Sequence, residues 1–133
     1  MKASLIVPCW NSARTLPRFL DCVAAQSFPD FEAILVDDGS TDETPTLLAG
    51  FARAAHPFAV RVATQSNRGV SAARNAGLDL ARGDFVFFAD PDDLMDPEML
   101  AKGVAAMERD HADYCVFPYL EQLEDETEAH LVP

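Results

Sequence analysis

Three carboxylates stand within four positions at Asp90-Pro91-Asp92-Asp93. Acids this close repel one another unless something positive sits among them. A hard divalent cation is the simplest resolution, since Mg²⁺ or Mn²⁺ is commonly held by one or two carboxylates while substrate phosphates and water complete the shell. A second pair, Asp37-Asp38, precedes Gly39-Ser40. Ser40-Thr41-Asp42-Glu43 has the form of a capping box, so neither Asp37 nor Asp38 is needed to start the next helix. A carboxylate there could accept a hydrogen bond from a nucleobase N–H or a sugar hydroxyl. Asn67-Arg68-Gly69 leads into Ser71-Ala72-Ala73-Arg74, where small residues permit close backbone approach. Arg74, in the first turn or so of a helix, could meet a diphosphate or the carboxylate clusters. His56, His111 and His130 are scattered without ligand spacing. Acyl transfer, P-loop hydrolysis and dinucleotide redox chemistry have no motif here.

These clusters must be positioned by something, and the apolar pattern supplies it. Short runs rich in β-branched and aromatic residues, at Ala3–Val7, Ala33–Val36, Phe58–Ala63, Phe85–Ala89 and Tyr114–Phe117, read as strands. Four helical stretches lie between them. The first puts Leu16, Phe19, Leu20, Val23 and Ala24 on one stripe after a cap at Asn11 or Ser12. The second comes after the capping box and buries Leu47, Leu48 and Phe51. The third is alanine-rich, from Ser71 to Ala81, its composition expected from close helix packing. The fourth takes Asp96 as cap and Pro97 in its first turn, with Leu100, Val104 and Met107 inward. Such alternation implies an α/β fold with a mainly parallel, doubly wound sheet and helices on both faces. Ligands of open sheets bind beyond the carboxyl ends of the strands, and each polar cluster comes directly after a predicted strand.

Composition limits the partners. The chain of 133 residues carries 22 acids against 10 basic residues, a formal charge of −12. With two lysines it is a poor binder of nucleic acid or of anionic membranes, and no nucleic-acid partner is expected. Five acids fall between Glu121 and Glu128, in a stretch that reads as a solvated tail or loop; residues 1–120 hold 17 acids against 10 basic residues. Cys9, Cys22 and Cys115 lack framework or metal spacing and are expected as reduced packing residues. No stretch has the length of a signal peptide's apolar region or a transmembrane segment. A cytoplasmic location is expected, the alternative being peripheral attachment to a membrane through other segments or partners.

Ile6-Val7-Pro8 with Asn11, Leu35-Val36-Asp37-Asp38-Gly39-Ser40-Thr41-Asp42, Asn67 to Gly77, and Gly83-Asp84 with Asp90-Pro91-Asp92-Asp93 occur in this order over residues 3 to about 110. Together they closely resemble the family 2 glycosyltransferases. The resemblance implies the GT-A fold and inverting transfer of a sugar from a nucleotide diphosphate donor, a UDP-sugar first among the candidates, to an acceptor hydroxyl. It implies that Pro8 and the backbone near Asn11 line the nucleotide pocket, and that Asp38, or its neighbour Asp37, bonds the base. Arg74 would lie near the base or phosphates. Asp90-x-Asp92 matches the family's DXD motif, which implies Asp90 toward the ribose and Asp92 first, with Asp90 beside it, as metal residues for the Mn²⁺ or Mg²⁺ that bridges the diphosphate. Cys9-Trp10 stands where the family often has a small or β-branched residue and a tyrosine.

The family's general base has no counterpart before Pro133, and the acceptor, a saccharide or a lipid-linked one, is left open. The expected organisation is a nucleotide-sugar-binding domain over 1–120, the donor half of a longer enzyme, with 121–133 an acidic tail or the start of a further part. The rival reading is a nucleotide- or metal-binding module without transferase activity. A phospho-receiver domain fits poorly, because the acid pair comes after the second strand and no lysine comes after the last.

Overall fold

Strands covered on both faces need apolar side chains at every position rather than at alternate ones. Two stretches of the chain come close to that demand: β1 (Ala3–Cys9) and β2 (Phe31–Asp37) are buried at all seven positions each, and apolar at all but Ser4, Glu32 and Asp37. The computed structural model of the protein describes residues 1–121 and 130–132. In it β1 and β2 form the centre of a four-stranded parallel sheet, flanked by β3 (Ala59–Thr64) and β4 (Phe85–Phe88) in the order β3-β2-β1-β4. The chain runs outward from β1 to β3 and then returns across the sheet to set β4 on the other side of β1.

Helices cover both faces, as the alternating pattern predicts. On one face α1 (Leu16–Ala24), α2 (Thr44–Arg53) and α4 (Met99–Asp110) pack over Leu5, Val7, Ala33 and Leu35. The stripe of α1 is Leu16, Phe19, Leu20 and Val23, all buried; Ala24 faces solvent. Each such leucine or phenylalanine contributes roughly 1.5–3 kcal/mol by leaving water. The opposite face belongs to α3 (Val70–Leu80), which packs on Ile6, Ile34 and Val36. Its small residues let it sit close. Ala73 is buried, and a Cβ on Gly77 would collide with the Ile6 side chain.

A polar network fixes the far end of α3. Glu32, buried on β2, accepts hydrogen bonds from Ser4 Oγ (2.8 Å) and the Arg82 amide (2.8 Å) and pairs with Arg61 at 3.4 Å. Arg61 also donates to the Leu80 carbonyl at 2.6 Å, and Gly83 N–H donates to Ser4 Oγ. Burial opposes the Glu32 charge, but these bonds and the guanidinium hold its carboxyl below the usual carboxylate range.

Three local expectations fail. Tyr114–Phe117 is not a strand. Phe117 packs against Phe87 while Tyr114 and Val116 are 80% and 75% exposed, so this run lacks the burial a central strand requires. Two short strands come later instead, β5 (Tyr119–Glu121) and β6 (His130–Val132), paired antiparallel apart from the main sheet. The expected loop or tail over 121–133 therefore contains strand at its ends; residues 122–129 and 133 lie outside the described residues. The predicted caps also differ. Helix α1 starts after Thr15, its first turn closed by the Ser12 carbonyl, and α2 starts after Glu43, whose own side chain makes no cap bond.

Candidate functional site

Strand order determines where a cleft can open. β1 has β2 on one side and β4 on the other, so the switch in winding direction falls between β1 and β4. At the carboxyl ends β1 and β2 remain joined, the Asp38 amide donating to the Cys9 carbonyl at 2.8 Å. Toward β4 the last bond runs from the Ala89 amide to the Ile6 carbonyl. Beyond it the segment after Pro8 and the segment after Ala89 diverge. The result is a cleft of about 640 Å³, within the range of small-molecule sites.

Pro8 and Asn11 form one wall of this cleft, Arg74 on α3 a second, and Asp90 and Asp92 a third. Five of the residues singled out in the sequence thus meet in one place. Trp10, 57% exposed, stands at its mouth and also borders an adjoining pocket of about 340 Å³, shared with Pro8 and lined by Asp38 and Asn67. Asp37 borders neither. Its carboxylate is buried and accepts the Ser40 amide at 3.1 Å, closing the turn after β2.

The wall after β1 is held from the neighbouring loop. Asn11, at φ +45°, accepts from the Thr41 amide at 2.8 Å, and its own amide donates to Ser40 Oγ at 3.0 Å. Ser12 N–H donates to Thr44 Oγ1, and Ala13 N–H to Asp42 Oδ2. Of the residues expected to cap α2, Ser40 and one oxygen of Asp42 are thus engaged by the 11–13 backbone, while Asp42 Oδ1 still accepts the Thr44 amide at 2.9 Å where the helix begins. Arg14 and Thr15 continue the same wall. Sequence reasoning missed both, because they come from an irregular turn without a motif. Arg14 has no ion-pair partner among the described residues, whereas Arg74 Nη2 bonds Asp90 Oδ1 at 2.9 Å.

Asp38 is only 3% exposed and holds the opposite loop. Its Oδ1 accepts from Gln65 Nε2 (2.8 Å) and the Arg68 amide (2.9 Å), and its Oδ2 from the Gly69 amide (2.9 Å). Burial alone would push this carboxyl up; the three donors and the Arg68 charge overcome it and hold the group below its usual range. Gly39, at φ +73°, allows the approach, since a Cβ there would lie 2.6 Å from the Asn67 nitrogen.

The acidic loop remains the most charged part. Asp92 is exposed and has no hydrogen-bond or ion-pair partner among the described residues. Partial burial, then the charges of Asp92 and Asp90, push the Asp93 carboxyl up. No group of three or more His, Cys, Asp or Glu side chains gathers to enclose a metal among the described residues. Two carboxylates, one already engaged by Arg74, still suit a cation of the Mg²⁺ or Mn²⁺ type, whose remaining ligands are phosphates and water. No helix among the described residues is long and apolar enough to cross a membrane. All three cysteines are free, with Cys9 buried under Asp37 and Asp90.

The family model described as Glycosyl transferase family 2 matches residues 4–132. Among curated proteins, the poly(ribitol-phosphate) beta-N-acetylglucosaminyltransferase TarS of Staphylococcus aureus (strain Mu50) is 36% identical over 115 residues, 85% of this chain and 20% of that protein. The structure of S. aureus TarS 1-349 in complex with UDP-GlcNAc superposes with a TM-score of 0.78 at 35% identity, over 85% of this chain and 33% of the other. A mannosyltransferase from Pyrobaculum calidifontis in complex with GDP-Man and Mn²⁺ superposes with a TM-score of 0.75 at 30% identity, over 80% and 32% of the two chains. The chain thus spans a fifth to a third of the length of these relatives.

Proposed function

The chain belongs to glycosyl transferase family 2, and from that premise we propose that it is the donor-binding part of a metal-dependent glycosyltransferase. It binds a nucleoside diphosphate sugar, a UDP-sugar first, and serves inverting transfer to an acceptor hydroxyl. The observation that carries this is the meeting of Pro8, Asn11, Arg74, Asp90 and Asp92 in one cleft at the sheet's switch point. The UDP-GlcNAc and GDP-Man complexes of structurally similar proteins support the ligand class.

In this reading the base enters the smaller pocket between Trp10 and Asn67, against Asp38. The Asp38 carboxylate takes three protein donors and has one lone-pair site left for a base N–H. Asp37, turned into its own loop, has no part in the base contact. The diphosphate lies in the larger cleft toward Arg74, with Asp90 on the ribose side and within reach of the cation, and Asp92 as the cation's first ligand. A Mn²⁺ or Mg²⁺ held there supplies the positive charge that an acidic chain lacks and stabilises the departing diphosphate. The chain's own contribution is to orient: Asp90 holds the Arg74 guanidinium at 2.9 Å, and the Asn11 and Asp38 contacts fix the two loops between which a ligand must fit. The site is proposed to face the cytoplasm, where nucleotide sugars and reduced thiols coexist, with membrane contact only peripheral.

Titration of UDP, GDP and their sugars into the protein with Mn²⁺ tests the ligand class, and release of free sugar from bound donor tests competence for bond cleavage. Micromolar binding of one nucleoside diphosphate series supports the reading; no binding of any refutes it. Release of sugar from bound donor excludes the non-catalytic module, whereas binding without cleavage fits both that module and the donor-binding part of a longer enzyme.

A further inference from the structure

The acidic loop between β4 and α4 has two ends to be held, and only one is held by the sheet. Its near end is fixed by the Ala89 amide on the Ile6 carbonyl. Between the ends three carboxylates repel one another; the middle is held by a turn bond from the Asp93 amide to the Asp90 carbonyl, by Arg74 on Asp90 at 2.9 Å and by the buried Met95 side chain. The far end is gripped by Gln26, just past the end of α1. This side chain is 8% exposed. Its Nε2 donates to the Asp96 carbonyl at 2.8 Å and to the Cys22 carbonyl at 3.3 Å, while Oε1 accepts the Leu100 amide at 3.3 Å. The next residue adds a bond, Ser27 N–H donating to the Pro97 carbonyl at 2.8 Å.

We infer that Gln26 is a positioning residue for cation binding: by clamping Asp96 and Leu100 to the end of α1, it holds Asp90 and Asp92 where they can share one divalent ion. This rests on the proposed cation role of Asp92. Gln26 itself lies outside the cleft and touches neither carboxylate. A short loop of like charges relaxes outward when one tether is cut, and a cation site loses affinity when its ligands are no longer held ready. Groups that hydrogen-bond metal ligands directly are worth about 10- to 100-fold in affinity, and a tether that acts through the loop backbone belongs at the low end of that range. The amide suits this task because it satisfies two carbonyls and one N–H at once, which no apolar or singly charged side chain of that length can do.

The test is the ratio of UDP affinities with and without saturating Mn²⁺, measured by calorimetry on the wild type, Gln26→Met and Gln26→Glu. Phe58→Leu, in the core at the opposite end of the sheet, serves as a control of general destabilisation. Gln26→Met keeps the length and loses all three bonds; Gln26→Glu keeps the acceptor for Leu100 and turns an oxygen against Asp96. Both variants are expected to bind UDP without metal within about twofold of wild type, which also reports that they fold, and to lose about tenfold of the Mn²⁺ enhancement. Phe58→Leu is expected to keep the enhancement whole. A wild type that responds to Mn²⁺ together with Gln26 variants that respond equally overturns this inference alone. Loss of enhancement in Phe58→Leu as well overturns it too, since general loosening then accounts for the effect. A wild type indifferent to Mn²⁺ overturns the cation reading, and the inference with it.

Discussion

Replacing Asp38 by Asn changes shape little and hydrogen bonding a great deal. In its better orientation the Asn oxygen keeps the Gln65 and Arg68 donors, which leaves its NH₂ facing the Gly69 N–H that Oδ2 accepts at 2.9 Å. That amide loses its partner. The loop lies near the surface, so water offsets part of the loss and the lower end of the usual cost, about 1 kcal/mol, applies. Two charge-assisted bonds also become neutral ones, at about 0.5 kcal/mol each, for a total near 2 kcal/mol. For a domain of this size that lowers the melting temperature by about 8 °C. The pH dependence stems from the lowered Asp38 pKa. A carboxylate whose folded pKa lies below its unfolded value of about 3.9 contributes stability above that pH and loses it as pH falls through the folded pKa. The gap between wild type and Asp38→Asn should therefore be full at pH 7 and narrow below about pH 4. Thermal melts from pH 3 to pH 7 measure both. A gap under about 2 °C at pH 7, or one that widens in acid, would show that Asp38 does not anchor the Arg68–Gly69 loop.

Gly39→Ala forces a left-handed residue and sets its Cβ 2.6 Å from the Asn67 nitrogen, so denaturant unfolding should reveal a loss of about 2 kcal/mol, and UDP binding should weaken as the Asn67 loop moves. Burial, and then the nearby Asp37 and Asp90 charges, push the Cys9 thiol up to about 12. Thiol titration of the native protein at pH 8 should miss Cys9 and find it on denaturation; rapid native labelling at Cys9 by peptide mapping would contradict that environment.

Much of the scaffold was legible because burial is written in side-chain type. Apart from Ser4, Glu32 and Asp37, β1 and β2 are apolar without alternation, and the α3 alanines mark close packing against Ile6. That five of the residues singled out in the sequence line one cleft has a related reason: open parallel sheets bring together the loops at the carboxyl ends of their strands. The misreadings share a cause, which is that short polar motifs look alike whichever partner takes them. Ser40-Thr41-Asp42-Glu43 has the spacing of a capping box, yet Ser40 Oγ serves Asn11 29 positions away. Asp37 and Asp38 were equivalent in the sequence; in space one closes its own turn and the other crosses to the Arg68 loop. Tyr114–Phe117 had strand composition but no neighbouring strand to pair with it. Gln26 carried no signal, since its partners are backbone groups 70 and 74 residues on.

If a cation on the Asp90–Asp92 loop ties a nucleoside diphosphate to this cleft, as proposed, the tie must depend on Asp92. Calorimetric titration of UDP with and without Mn²⁺ into wild type and Asp92→Asn tests it most directly. Mn²⁺ is expected to strengthen wild-type binding by about tenfold or more, Asp92→Asn to lose most of this gain, and metal-free binding to be equal in the two. Equal Mn²⁺ enhancement in wild type and Asp92→Asn would place the cation elsewhere and contradict the proposed site.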